Sequence, residues 1–192
     1  MGPSAEPHRA AEDEAGWVER AREGDQEAFR VLVERHQSRA FALALRIVRS
    51  PVEAEDVAQE AFLRAWHALP RFRGDSSFGT WLHRIVARRA LDRAVSLRDR
   101  RRREASLEQA WDLVARASSA PASPGVANRL RLERLVGGLS AVQRAAVTLY
   151  YYEDRSVEQV ASILGLPENT VKTHLSRARA ALREAWLGEV ES

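Results

Sequence analysis

The chain has 192 residues, 45% hydrophobic and 30% charged, enough to bury the core of one medium domain or two small ones under a polar surface. It has no cysteine, which excludes disulfides and thiolate metal sites and fits a reducing cytoplasm; no apolar run approaches the ~20 residues of a membrane span, and MGPSAEPHRAAEDEAG has no secretion-signal pattern. The net charge is only +3, yet Arg71 to Arg103 holds eleven arginines and three aspartates, a net +8 beside Phe72, Phe78 and Trp81, which suits a polyanion with exposed bases.

In chain order, residues 1–16 are small and polar with two prolines and read as a disordered tail. Trp17 to Arg22 is a short helical turn, Gly24 stops it and Asp25 caps the next helix. That helix carries Phe29, Leu32, Val33 and His36 on one stripe and continues through Phe41, Leu45 and Val48 to Arg49. His36 is a boundary residue of the stripe rather than a metal ligand. Ser50 and Glu53 form a capping box and Pro51 suits the first position of a helix to about Leu69, with Val57, Ala61, Phe62, Ala65 and Trp66 inward. Its other side carries Glu53, Asp56, Glu60 and Arg64, with Gln59 beside them. That stripe suits either a solvated surface or a docking face for a basic partner.

Pro70 breaks the chain, and Ser76 or Ser77 caps a helix to about Arg103. Trp81, Leu82, Ile85 and Val86 form its buried side, and Arg84, Arg88 and Arg89 part of its polar side. His83 reads as a polar neighbour on a nucleic-acid-facing helix, and Arg88 and Asp92 stand at the spacing of a surface pair. Leu107, Ala110, Trp111 and Val114 allow a short amphipathic helix, after which SSAPASPG reads as flexible linker. A helix follows at about Val126–Gly137. Ser140 with Gln143 and Ser156 with Gln159 form capping boxes for two more, and Pro167-Glu168 opens the last. The pattern is all-α, with two small helical domains joined by a flexible linker.

Ser156–Leu182 has the pattern of a helix-turn-helix. Val160, Ala161 and Leu164 face inward, Gly165 supplies the left-handed turn residue, and Val171, Leu175, Ala178 and Leu182 face the core. Lys172, Thr173, Ser176 and Arg177 remain on the opposite face. These are residue types that read base edges and hold phosphates in a major groove. From Glu168 to Arg183 the segment is net +3. An ordinary amphipathic helix is the competing reading, and the turn glycine, spacing and exposed chemistry together favour the first.

EDVAQEAFLRAW, then FRGDSSFGTWLHRIVARRALDR, then a linker and a helix-turn-helix ending TVKTHLSRARAALR resembles the bacterial sigma-70 family of RNA polymerase sigma factors. Within it the chain is similar to the small extracytoplasmic-function, group 4, type. The resemblance spans roughly Trp17 to Trp186, and it is the order and spacing of the pieces that make it specific.

The resemblance implies a region 2 domain over 17–103 that binds core polymerase and the −10 element, a linker over 104–125, and a region 4 domain over 126–187 that binds the −35 element. Asp56, Gln59 and Glu60 match the face that docks on the polymerase clamp helices. Phe72, Gly74, Asp75, Ser76, Ser77 and Phe78 match a loop that receives an unstacked base. Trp81, Arg84 and Arg88 belong to the melting helix, and Lys172, Thr173, Ser176 and Arg177 to −35 recognition. Relatives usually have Asn where this chain has Arg88, so detailed −10 preference does not carry over. Asn169 and Pro167 also depart from the family pattern.

The partners implied are core RNA polymerase (clamp helices and flap), promoter DNA and an anti-sigma factor. The chain is expected to be a cytoplasmic monomer when free, with no membrane insertion, no metal and no cofactor. Its histidines are scattered, and it has neither a phosphate-binding glycine loop nor a nucleophile elbow, so an enzyme is a remote reading. The alternatives are a stand-alone helix-turn-helix transcriptional regulator, which would dimerise on palindromes, and a helical interaction protein.

Overall fold

The computed structural model describes residues 6–107 and 124–188. Every regular element among the described residues is helical. They are α1 (Glu6–Arg22), α2 (Gln26–Val48), α3 (Pro51–Ala68), α4 (Phe78–Leu107), α5 (Pro124–Gly138), α6 (Ala141–Val147), α7 (Val157–Leu164) and α8 (Glu168–Gly188). A 3-10 turn, Leu69–Arg71, follows α3, and a π-helical segment, Thr148–Tyr152, follows α6. Two compact units result, one from residues up to Leu45 with Ser50–Ala90, the other from Arg46–Arg49 with Leu91 onward. The division falls inside α4.

The first unit is punctuated as its turn residues require. Gly24 takes φ +97°, a left-handed conformation that ends α1 without a Cβ clash. Asp25 Oδ1 then accepts from the Glu27 and Ala28 amides at 2.9 and 3.0 Å and caps α2. Those amide bonds, with Arg20 behind them, hold the Asp25 carboxyl below its usual range. Ser50 accepts from the Glu53 amide, and Pro51 occupies the first position of α3.

α1 covers Glu6–Arg22, whereas the sequence suggested a disordered tail and only a turn from Trp17. Val18 and Ala21 are buried on it. The inward face of α2 also differs from the expected stripe. It runs through Ala28, Leu32, His36, Ala40, Leu43 and Ala44, while Phe29 and Val33 sit at its edge. Alanines carry a weak hydrophobic signal, so the larger side chains beside them drew the stripe to one side. On α4 the buried line is Leu82, His83, Val86, Ala87 and Ala90, and Trp81 and Ile85 are half-buried. His83 is therefore a core residue, 7% exposed, and not a group presented to nucleic acid.

The second unit is built on α8, which packs against α5, α6 and α7. Of the three expected capping boxes, those at Ser140–Gln143 and Ser156–Gln159 are complete, and at Ser50 the side chain accepts from the Glu53 amide. Buried Arg144 donates Nη1 to the Gly137 and Leu139 carbonyls, closing the end of α5. Leu149, Val160, Ile163 and Val171 are buried at the centre, and truncating any such side chain typically costs about 2–5 kcal/mol. Gly165 at φ +67° makes the turn between α7 and α8. Residues 108–123, with the short helix expected up to Val114, lie outside the described residues.

Candidate nucleic-acid interface

The aromatic residues of the 72–78 loop are organised around Trp81. Phe72 and Phe78 are themselves buried, with ring centroids 4.9 and 5.8 Å from that of Trp81. The two rings therefore anchor the loop ends and do not stand out to meet a base. Between them Gly74 adopts φ +77°, Gly74, Asp75 and Ser77 are exposed, and Ser76 is partly exposed. The cap left open by the sequence is Ser77: its Oγ accepts from the Thr80 amide at 3.2 Å, and its carbonyl accepts from Trp81 N at 3.0 Å. Arg84 is half-buried and Arg88 exposed on the same helix.

This loop forms one wall of a cleft of about 790 Å³. Opposite it stand Glu14, Val18, Glu19 and Arg22 of α1 and Arg35, His36 and Arg39 of α2. Sequence reasoning missed this wall because residues up to 16 carried only a polar composition. His36 is 5% exposed, and its Nε2 lies 3.2 Å from Glu14 Oε2. Its ring meets Phe78 edge-on at 5.3 Å. Gly79 packs closely here: a Cβ would lie 3.0 Å from His36 Cε1, and the ring would have to give by a few tenths of an ångström.

Burial pushes the His36 pKa down, opposed by Glu14 and reinforced by Arg39 and Arg35. A histidine depressed on folding binds fewer protons in the native state. Its contribution is fully present above the unfolded value of about 6.5 and is lost as pH falls through the native value. Urea unfolding from about pH 7.5 to about pH 5 should show falling stability, and His36→Gln should flatten that slope. Equal slopes in the two proteins would place the pH dependence elsewhere. Asp25, Glu27 and Glu60 are held below the usual carboxylate range, which itself lies below this window.

On α3, Asp56 and Gln59 are exposed, as a docking face requires. Glu60 is partly exposed and already engaged: Arg89 Nη2 donates to both carboxylate oxygens at 2.7 and 2.8 Å, and Arg64 Nη2 to Oε1 at 3.0 Å. Arg89, then Arg64, hold the Glu60 carboxyl below its usual range. Glu60 thus ties α3 to α4. Gln59 also borders an apolar groove of about 510 Å³ with Phe29, Val33, Phe62, Leu63 and Trp66. Leu63 is 62% exposed. It lies off the inward stripe of α3, and that was the sequence signal for this groove.

On α8, Val171, Leu175 and Ala178 are buried while Lys172, Thr173, Ser176 and Arg177 are all exposed. Thr173 Oγ1 donates to the Asn169 carbonyl at 2.8 Å, which leaves its methyl group and acceptor lone pairs for a partner. Lys172 Nζ lies 3.8 Å from Glu168 Oε2, a surface pair of the weak kind that a phosphate can displace. No group of three His, Cys, Asp or Glu that could hold a metal occurs among the described residues.

A left-handed glycine turn feeding a helix with a basic, hydrogen-bonding outer face, and a separate helical unit with a basic aromatic loop, define a two-part DNA-reading protein. The family model for Sigma-70 region 2 matches residues 32–103, and that for Sigma-70, region 4 matches residues 129–182. The RNA polymerase sigma-H factor of Pseudomonas aeruginosa is 35% identical over 88% of this chain and 91% of its own. The ECF RNA polymerase sigma-E factor of Escherichia coli is 36% identical over 86% of this chain and 90% of its own. Two solved structures are similar at a TM-score of 0.61. The sigma factor RpoE in complex with the anti-sigma factor NepR from Bartonella quintana is 26% identical, covering 82% of this chain and 96% of that one. CnrH in complex with the cytosolic domain of CnrY is 28% identical, covering 92% and 97%. The chain belongs to the sigma-70 family, as an RNA polymerase sigma factor of the extracytoplasmic-function type.

Proposed function

We propose that this sigma factor divides its work between residues 17–103, which hold core polymerase and capture the −10 element, and residues 126–187, which read the −35 element. The observation that carries this reading is the burial pattern of α8, which leaves Lys172, Thr173, Ser176 and Arg177 as a contiguous outer face. Those residues take base edges and phosphates in a duplex major groove. The −10 element is bound as a strand leaving the duplex. Unstacking a base costs a few kcal/mol, returned by the cleft beside Gly74–Ser77 and by phosphate contacts from Arg84 and Arg88.

Neither unit needs to bind DNA tightly alone. Polymerase fixes the spacing of the two elements, so the second contact is effectively intramolecular. Free protein is accordingly expected to bind DNA weakly and with steep salt dependence. The chain supplies no catalytic group in this reading, and polymerase performs the chemistry. It works in the cytoplasm, where an anti-sigma factor covering its docking surfaces holds it inactive. Support for that partner comes from the RpoE–NepR complex, which resembles this chain over most of its length.

The docking face on α3 combines exposed Asp56 and Gln59 with the apolar groove at Leu63. Asp56→Arg with Leu63→Ala should weaken core binding by at least about 2 kcal/mol, the scale of an interface hot spot. Fluorescence titration of labelled chain with core polymerase measures it. Unchanged affinity would move the docking face off α3.

A further inference from the structure

The cleft beside the 72–78 loop contains chemistry that the loop does not supply. We infer that Glu14 of α1, held by His36, reads the edge of the base captured there and selects one with an exocyclic amine, rejecting thymine. This rests on the reading of the 72–78 loop as a base-capturing loop.

Glu14 lines the cleft opposite Ser76 and Ser77 and is only partly exposed. Its Oε2 is engaged twice, by His36 Nε2 at 3.2 Å and by Arg35 Nη1 at 3.5 Å. Oε1 is the acceptor that neither contact uses. The His36 ring is buried and wedged against Phe78 and Gly79, so the carboxylate is positioned by a rigid neighbour. His36 Nδ1, beside Gly79, is buried and has no hydrogen-bond partner among the described residues. With Nε2–H donating to Glu14, Nδ1 is left an acceptor that its burial keeps from the cleft, so the acceptor for a captured base is the Glu14 carboxylate.

An ionised carboxylate accepts and cannot donate. It rewards the N4 amine of cytosine, the N6 amine of adenine or the N1–H and N2 amine of guanine, and it disfavours thymine, whose single N3–H lies between two keto oxygens. Arg22 and Arg39 line the same cleft and supply cations for the flanking phosphates.

The test is open-complex formation by holoenzyme on promoters carrying each of the four bases at every −10 position. Wild type should favour adenine, cytosine or guanine over thymine at one position by ~10-fold. Glu14→Gln, whose amide both donates and accepts, should narrow that preference to about twofold at that position alone, with core binding and −35 preference unchanged. Full retention of the preference in Glu14→Gln overturns the inference. So does a wild-type preference for thymine there, or a variant that loses only thermal stability while its base profile is intact. A Gly74→Val loop variant separates the two levels. If it alters the −10 profile and Glu14→Gln does not, only the role of Glu14 falls. If neither alters any position, the loop reading itself falls.

Discussion

Arg177→Ala should lower transcription from a −35-dependent promoter on the order of tenfold and flatten the preference at one −35 position, since a good bidentate base contact discriminates by ~1–3 kcal/mol. Lys172→Ala should act differently. As a phosphate contact it should weaken binding evenly across −35 sequences and reduce the salt slope by about one. Both side chains are exposed on α8 while its inner face is carried by Val171, Leu175 and Ala178, so neither change touches the core. Run-off transcription from a −35 library at two salt concentrations measures both effects. An Arg177→Ala profile that matches wild type at every position would remove this residue from base recognition.

Trp81→Ala is expected to have the other large effect, and a double one. The ring holds Phe72 on one side and Phe78 on the other, so its loss releases both ends of the loop. Aromatic-to-alanine changes in a core cost about 3–5 kcal/mol, and a half-buried ring should fall below that range, at about 2 kcal/mol. Urea unfolding tests the stability part, which Trp81→Phe should largely restore. The functional part is a defect in strand opening. Transcription by Trp81→Ala holoenzyme should fall strongly on duplex promoter and recover on a template whose −10 region is already unpaired. Equal defects on the two templates would assign Trp81 to holding the fold alone.

The helical architecture was legible because its stops and starts are local. Gly24, Ser50-Pro51, Ser140, Ser156 and Gly165 each act through their own backbone geometry, and all are found where the sequence put them. The outer face of α8 was legible too, because Val171, Leu175 and Ala178 fix its phase. The cleft beside the 72–78 loop was half legible. Its loop was visible as FRGDSSF, but the opposite wall joins Glu14 to His36 across 22 positions of chain, and no periodic pattern encodes that pairing. The role of Glu60 was hidden for the same reason. An acidic stripe on α3 gives no sign that Arg89 of the next helix takes one of its carboxylates. Phe72 and Phe78 show the converse error: aromatic residues beside arginines look like base-stacking groups, yet burial against Trp81 makes them supports for the loop.

Promoter selection should be a property of this chain joined to core polymerase. Run-off transcription on genomic fragments with core alone, chain alone and both together tests it directly. Defined transcripts should appear only with both, starting downstream of DNA that becomes permanganate-sensitive at the −10 position, while the chain alone protects no site. Tight, sequence-specific protection by a dimer of the free chain, with core initiation unchanged by its addition, would contradict the account and favour a stand-alone helix-turn-helix regulator.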